Sequence, residues 1–325
     1  MPNTNPKIVV LDAATLCFDR SEWDLFRQLG EVALHDRTPS ETEAIVTRAS
    51  SADIVLTNKV PLRAETLARL PALRFIGVLA TGYNVIDIKA ARERNVPVAN
   101  VPVYGTETVA QHAMALLLEL CNHVGLHDRS VKHGGWVRSA DFSYWEKPVI
   151  ELSGRTLGLV GFGRIGRMVG QIGHAFGMTI WAADTRQQDP PDYKPFAWKS
   201  VPEVFAGADV VTLHCPQTKD NFEFINSALL KTMKPSAFLI NTARGALINE
   251  ADLARALEAG AIAGAALDVI SREPMLADNP LLQAANCLIT PHMAWTSETA
   301  RRKLLRETAE NVRGFLAGVP RNVVN

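Results

Sequence analysis

Between Thr156 and Asp184 the chain reads as a strand, a glycine-rich turn, an amphipathic helix and a second strand closed by an acid. The turn is Gly161-Phe162-Gly163-Arg164-Ile165-Gly166. Gly-x-Gly-x-x-Gly alone is a weak signal. Here it follows the apolar run Leu157-Gly158-Leu159-Val160 and opens a helix, the context in which such a turn holds a dinucleotide. The first glycine permits the tight turn, the second lets backbone approach a pyrophosphate, and the third allows close helix–strand packing. The helix start, at Arg164 and Ile165, offers unpaired N–H groups and the positive end of the helix dipole. Asp184 stands 18 residues beyond Gly166, where an acid can accept hydrogen bonds from adenosine ribose hydroxyls. Its charge would repel a 2′-phosphate, so NAD is favoured over NADP, although Arg186 weakens that preference. The ordinary alternative is a glycine turn with no ligand. The coincidence of strand, glycines, helix and acid speaks against it.

The same alternation of strand and helix runs through most of the chain. Before the glycine turn, Lys7–Asp12, Asp53–Asn58 and Arg74–Ala80 are short apolar runs of the kind that form buried parallel strands. Helical stretches lie between them. One opens at Ser40-Glu41-Thr42-Glu43 with the form of a capping box, one follows Pro61, and one spans Asp87 to Asn95. After the turn, Met178–Ala183, Asp209–His214, Ala237–Asn241, Ala263–Val269 and Cys287–Thr290 continue the pattern. Thr108–Cys121 is apolar on nearly all sides, which predicts a helix buried between layers and linking the two halves. Gly134–Pro148, with Trp136, Phe142, Tyr144 and Trp145, reads as a long loop. A last helix runs from Ser297 to about Leu316 and is expected to pack back on the first domain. The length of 325 residues suits two α/β domains.

Composition removes several function classes. Lys+Arg and Asp+Glu both number 34, so no bulk attraction to nucleic acid or to an anionic membrane is expected. The cysteines Cys17, Cys121, Cys215 and Cys287 are scattered, with no metal-ligand spacing, and read as structural thiols in a reducing compartment. No metal site is expected. No apolar run approaches the roughly 20 residues of a membrane span, and no signal peptide is visible. The expectation is a soluble, cytoplasmic protein.

Three charged residues stand just beyond strand-like runs. Arg244 follows Leu239–Ala243, Glu273 follows Leu267–Ile270, and His292 follows Leu288–Pro291. In an open parallel sheet, ligands bind beyond the carboxyl ends of the strands. A histidine can move a hydroxyl proton near neutral pH, and a carboxylate on its second nitrogen fixes the tautomer. An arginine fork binds a carboxylate and polarises a neighbouring carbonyl. Singly, each has a plainer reading, as a loop histidine, a surface charge or a helix-entry acid. Their combination with a dinucleotide fold points to a site.

Asn241-Thr242-Ala243-Arg244-Gly245, Leu267-Asp268-Val269 with Glu273-Pro274, and Pro291-His292 resemble the signature blocks of the D-isomer-specific 2-hydroxyacid dehydrogenases. The resemblance covers nearly the whole chain. It implies a catalytic set of Arg244, Glu273 and His292, with Arg244 binding substrate and His292 as acid/base. It implies a flavodoxin-like substrate domain, residues 1–102 completed by 293–325, and a Rossmann NAD-binding domain, residues 103–292. Both would be doubly wound parallel sheets, with the active site in the cleft between them. Thr81-Gly82 resembles the loop whose amides hold the substrate carboxylate, or is an ordinary strand-to-helix turn. Thr108 resembles a residue near the nicotinamide, although Thr108-x-x-Gln111 also has the form of a helix cap. His214, Cys215, Pro216, Thr242, Ala243 and Asp268 resemble the remaining cofactor contacts. Cys215 reads as a packing residue, not a reactive thiol. Homodimerisation through the cofactor domain is usual in the family.

Leu79–Asn84, His127–Ser130 and Asp141–Trp145 resemble the glycerate dehydrogenase, or hydroxypyruvate reductase, branch. That branch interconverts D-glycerate and hydroxypyruvate and often accepts glyoxylate. Glu273 departs from formate dehydrogenases, which carry Gln there. The end at Asn325 departs from phosphoglycerate dehydrogenases with a regulatory domain. Ala183 departs from the aromatic residue often found before the ribose-binding acid, which bears on the choice of cofactor. The alternatives are the same chemistry on another 2-oxo acid, such as pyruvate, and a non-catalytic NAD(H)-sensing protein like the corepressors that share this fold.

Overall fold

The computed structural model describes residues 5–325; the first four residues of the expected 1–102 domain lie outside them. The chain forms two compact units. One runs to Gly105 and is completed by Thr296–Asn325, and the other is Thr106–Trp295. Each crossing falls three residues later than the 102 and 292 read from the sequence. At the second crossing the reason is visible: the amides of Met293 and Ala294 donate to Asp268, which keeps the chain in the second unit past His292.

The first unit is a five-stranded parallel sheet of β1 (Lys7–Val10), β2 (Glu31–Leu34), β3 (Ile54–Thr57), β4 (Phe75–Val78) and β5 (Val98–Ala99). Its order is β2-β1-β3-β4-β5, the flavodoxin-like arrangement. β3 and β4 are buried at every position, as their apolar runs require. β2 and β5 are additions to the sequence reading. β2 is an edge strand with no fully buried residue, and β5 has two residues, so neither leaves an apolar run to detect. Helices α1 (Asp24–Arg27), α2 (Thr42–Ala49), α3 (Ala64–Ala68) and α4 (Ile88–Glu93) connect them. The capping box at Ser40 does not form. Glu41 precedes α2 without a side-chain cap, and Glu43 instead accepts from Arg69 at 3.0 Å. α4 is capped by Asp87, which accepts from the Ala90 amide at 3.0 Å.

The second unit opens with α5 (Thr106–Asn122) and α6 (Val124–Lys132). It continues through β6 (Thr156–Val160), α7 (Arg164–Ala175), β7 (Thr179–Ala183), β8 (Phe196–Trp198), α8 (Val201–Gly207), β9 (Val210–Leu213) and α9 (Ser227–Leu230). β10 (Phe238–Asn241), α10 (Glu250–Glu258), β11 (Gly264–Leu267) and β12 (Cys287–Ile289) complete the sheet. Its order is β12-β11-β10-β9-β6-β7-β8, all parallel. This is the Rossmann order with a seventh strand, and the direction of winding reverses between β6 and β9. β8 escaped the sequence reading because only three residues pair, just after Pro195. α5 buries Ala110, Ala113, Met114, Leu116, Leu117, Leu120 and Cys121 against α7, β10 and β11. Among the described residues no helix is long and apolar enough to cross a membrane.

α11 (Glu298–Leu316) closes the first unit and packs on β4. Ser297 caps it by accepting from the Ala300 amide. Its buried positions include Ala300, Leu304, Leu305, Thr308 and Val312, a stripe at helical spacing. Phe315 stacks on Phe75 of β4 with centroids 4.7 Å apart.

Candidate active site

The reversal between β6 and β9 is where an open parallel sheet leaves a crevice beyond its strand ends. Gly161, just after β6, has φ +95°, and a Cβ there would lie 2.5 Å from the Cys215 amide nitrogen. The turns after β6 and β9 therefore touch through backbone. A Cβ on Gly166 would lie 2.2 Å from the Gly161 carbonyl oxygen, so the third glycine seats α7 on the turn itself. Gly163 differs: a Cβ there would meet nothing within 4 Å. The second glycine faces open space at the start of α7, where Arg164 and Ile165 contribute first-turn amides and no side chain caps the helix.

Asp184 follows β7 and turns back to this loop. It accepts from the Phe162 amide at 2.6 Å and from the Arg186 amide at 2.9 Å. Thr242, just after β10, is 8% exposed, and its hydroxyl oxygen is buried with no hydrogen-bond partner. A dinucleotide fits this set: open space over Gly163, unpaired amides at a helix start, an acid beside them and an unsatisfied hydroxyl farther along the strand ends. Burial pushes the His214 imidazole down to about 3, so it is neutral at ordinary pH. Burial pushes the Cys215 thiol up to about 11, which makes it a packing group. The carbonyl of Pro216 accepts from Asn221 at 2.8 Å.

Arg244, Glu273 and His292 follow β10, β11 and β12, three neighbouring strands. Asn241, fully buried, braces the first of these turns. Its amide nitrogen donates to the Arg244 carbonyl at 2.8 Å and its oxygen accepts from the Ala243 amide at 2.9 Å. Arg244 is left exposed, with Nη1 donating to the Ala243 carbonyl at 2.6 Å. Gly245 brings the next segment close: a Cβ there would sit 1.8 Å from the Ile270 carbonyl carbon. Only glycine lets the turn carrying Arg244 lie against the backbone that leads to Glu273.

His292 Nδ1 lies 2.6 Å from Glu273 Oε2, and both side chains are partly exposed, at 24% and 33%. A carboxylate can only accept, so Nδ1 carries the proton and Nε2 is left to exchange one. The backbone of His292 is left-handed, with φ +52°, an uncommon state for a residue with a Cβ. Asp268, 1% exposed, holds it there. It accepts from the Thr290 hydroxyl at 2.6 Å and from the Met293 and Ala294 amides at 2.8 Å each. Burial alone would raise its pKa; the bonds from His112, Thr290, Ala294 and Met293 outweigh that and leave it lowered. Both Asp268 oxygens are thus engaged by protein donors, whereas the sequence reading gave this residue to the cofactor.

Thr108 lies inside α5, which begins at Thr106, so the capping alternative fails. Thr81 and Gly82 follow β4 in the first unit, where the Thr81 hydroxyl donates to the Val101 carbonyl at 2.9 Å. Three supporting residues had been missed: His112, Thr290 and Glu250, which accepts from the Ser271 amide and from Asn279. Of the three, only His112 left a trace, as one of a few polar residues in the largely apolar run Thr108–Cys121.

The D-isomer specific 2-hydroxyacid dehydrogenase family, in its NAD binding domain, matches residues 114–294. A hydroxypyruvate reductase of Blautia hydrogenotrophica is 43% identical over 320 residues, covering 98% of this chain and 99% of its own. A glycerate dehydrogenase of Methylorubrum extorquens is 38% identical and covers 98% of both chains. A D-lactate dehydrogenase of Aquifex aeolicus, solved with NAD and lactic acid, has a TM-score of 0.83 at 27% identity and covers 96% of both.

The glycines should separate in mutagenesis. Gly161→Ala should cost about 1–3 kcal/mol of stability through its φ and the backbone clash, and Gly163→Ala less than about 1 kcal/mol. Equal losses in urea unfolding would contradict the packing described. His214 predicts a pH effect. The unfolded imidazole titrates near 6.5 and the folded one near 3, so the unfolded chain binds more protons between those values. Stability is full above 6.5 and declines as pH falls toward 3. The urea midpoint should drop less between pH 7 and 5 in His214→Gln than in the wild type; parallel drops would show that this ring contributes nothing.

Proposed function

Because the chain belongs to the D-isomer specific 2-hydroxyacid dehydrogenases, we propose that it interconverts D-glycerate and hydroxypyruvate, with glyoxylate as a second 2-oxo acid, and that it prefers NAD to NADP. The observation that carries the reading is the 2.6 Å pair of His292 and Glu273 at the strand ends of a dinucleotide-binding unit. The nearly full-length identity to enzymes named for these substrates supports the choice of acid.

The nicotinamide, when bound, supplies or accepts the hydride at C2. In the direction of reduction, His292 gives its Nε2 proton to the carbonyl oxygen as that oxygen gains charge, and the imidazolium becomes neutral. Glu273 keeps Nδ1 protonated and fixes the orientation of the ring. Arg244 binds the carboxylate and polarises the carbonyl. The backbone amides at Thr81 and Gly82 are assigned to the substrate carboxylate. The Asp184 carboxylate, already aligned by the Phe162 amide, disfavours a 2′-phosphate.

The protein is also assigned as a homodimer. α6 buries no residue of its own, and the segment after it exposes Trp136, Val137, Phe142 and Trp145, with Phe142 90% exposed. So much apolar surface on one stretch suits a second copy of the chain.

Purified protein should oxidise NADH fastest with hydroxypyruvate, more slowly with glyoxylate, and least with pyruvate or 2-oxoglutarate. His292→Ala should lower kcat about 100- to 10,000-fold while NADH still binds. Asp184→Ala should improve the use of NADPH. A wild type that binds NADH but turns over none of these acids would remove the assignment. Light scattering should give twice the chain mass, and Val137→Glu with Phe142→Lys should give monomers; a monomeric wild type at micromolar concentration would refute the dimer.

A further inference from the structure

The three donors that converge on Asp268 come from one short segment and bracket His292. A fourth group reaches the same cluster from a distant part of the chain. His112, in the first half of α5, places Nε2 3.1 Å from Thr290 Oγ1 and 3.4 Å from Asp268 Oδ1. The Thr290 hydroxyl has one proton and commits it to the carboxylate at 2.6 Å. Its oxygen can then only accept from the imidazole, so His112 Nε2 carries the proton. The donors run in order from His112 to Thr290 to Asp268. The neighbours of His112 on α5, Ala113, Leu116 and Leu117, are buried in the apolar core, so the ring is carried on a rigid support.

We propose that His112 is a positioning residue for His292, acting through Thr290 and Asp268. The inference rests on reading His292 as the acid/base. Glu273 orients the ring of His292, and the backbone that carries the ring is tied to Asp268 on both sides, with the His292 amide also donating to the Thr290 carbonyl at 3.0 Å. Asp268 keeps that hold while the Thr290 proton points at it. Without His112 the Thr290 oxygen loses its donor and the hydroxyl is free to rotate away. The left-handed turn at His292 then loses one of its restraints and the imidazole drifts from the reacting oxygen. A misplacement of about 1 Å is enough to cost on the order of 100-fold in rate.

The test compares full-length wild type with His112→Leu, His112→Gln, Thr290→Val and the double variant His112→Leu/Thr290→Val. It reads kcat and KM with hydroxypyruvate, the NADH dissociation constant, and amide hydrogen exchange in the peptide covering residues 287–296. His112→Leu should lower kcat roughly 10- to 100-fold while the NADH dissociation constant stays within about threefold. Exchange at Met293 and Ala294 should quicken. His112→Gln, which keeps a donor within reach of Thr290, should recover most of both effects. Thr290→Val should reproduce the loss, and the double variant should be no worse than the worse single one. Unchanged exchange and unchanged kcat in folded His112→Leu would overturn the inference. If that variant does not fold, normal exchange and kcat in Thr290→Val would do so. A wild type that reduces no 2-oxo acid would sink the proposed function, whereas the exchange data would still decide whether His112 holds the segment.

Discussion

A carboxylate that is 1% exposed has no water to fall back on, so every lone pair of Asp268 must find a donor in the protein. It finds them in the Thr290 hydroxyl and the amides of Met293 and Ala294, all within a few residues of His292. Leaving a buried charge unpaired would cost several kcal/mol, more than an unusual φ at one histidine. The left-handed backbone of His292 is therefore the cheaper way for this segment to satisfy Asp268. The imidazole is held from two sides, by its backbone through Asp268 and by its ring through Glu273.

Close backbone contact does comparable work along the same strand ends. Gly161, Gly166 and Gly245 each stand where a Cβ would collide with main-chain atoms. At Gly161 and Gly166 the contact joins the turn after β6 to the turn after β9 and to the start of α7. At Gly245 it joins the turn after β10 to the segment after β11. Gly163 is exempt from any such contact, and it is the glycine that faces open space. Three glycines make the site compact and one leaves room for what binds there.

These two devices divide the chemistry. The glycine turn, Asp184 and Thr242 form a surface suited to a long, doubly charged ligand. Arg244, Glu273 and His292 stand at the ends of three adjacent strands, where a small acid can meet a fork of donors and a proton carrier. The neutral His214 and the inert Cys215 lie beside the dinucleotide turn without adding a competing charge or nucleophile.

Much of this was readable from residue order. Buried parallel strands leave continuous apolar runs, so β3, β4, β6 and β9 announce themselves, and the glycine spacing marks the turn that follows β6. Arg244, Glu273 and His292 could be picked out because each follows such a run. What escaped lacks a local pattern. The edge strand β2 and the short β5 and β8 bury too little to leave a run. The capping box at Ser40 satisfied a local rule, yet Glu43 found Arg69 instead. His112 and Thr290 are 178 residues apart, and no periodicity links them. The sequence by itself determined the two parallel sheets, the glycine turn and the identity of the charged residues, because burial and turn geometry act on neighbours in the chain. Tertiary structure alone decided that Asp268 anchors the His292 turn and that His112 stands behind it, because a buried carboxylate takes its donors from whatever the fold brings within 3 Å.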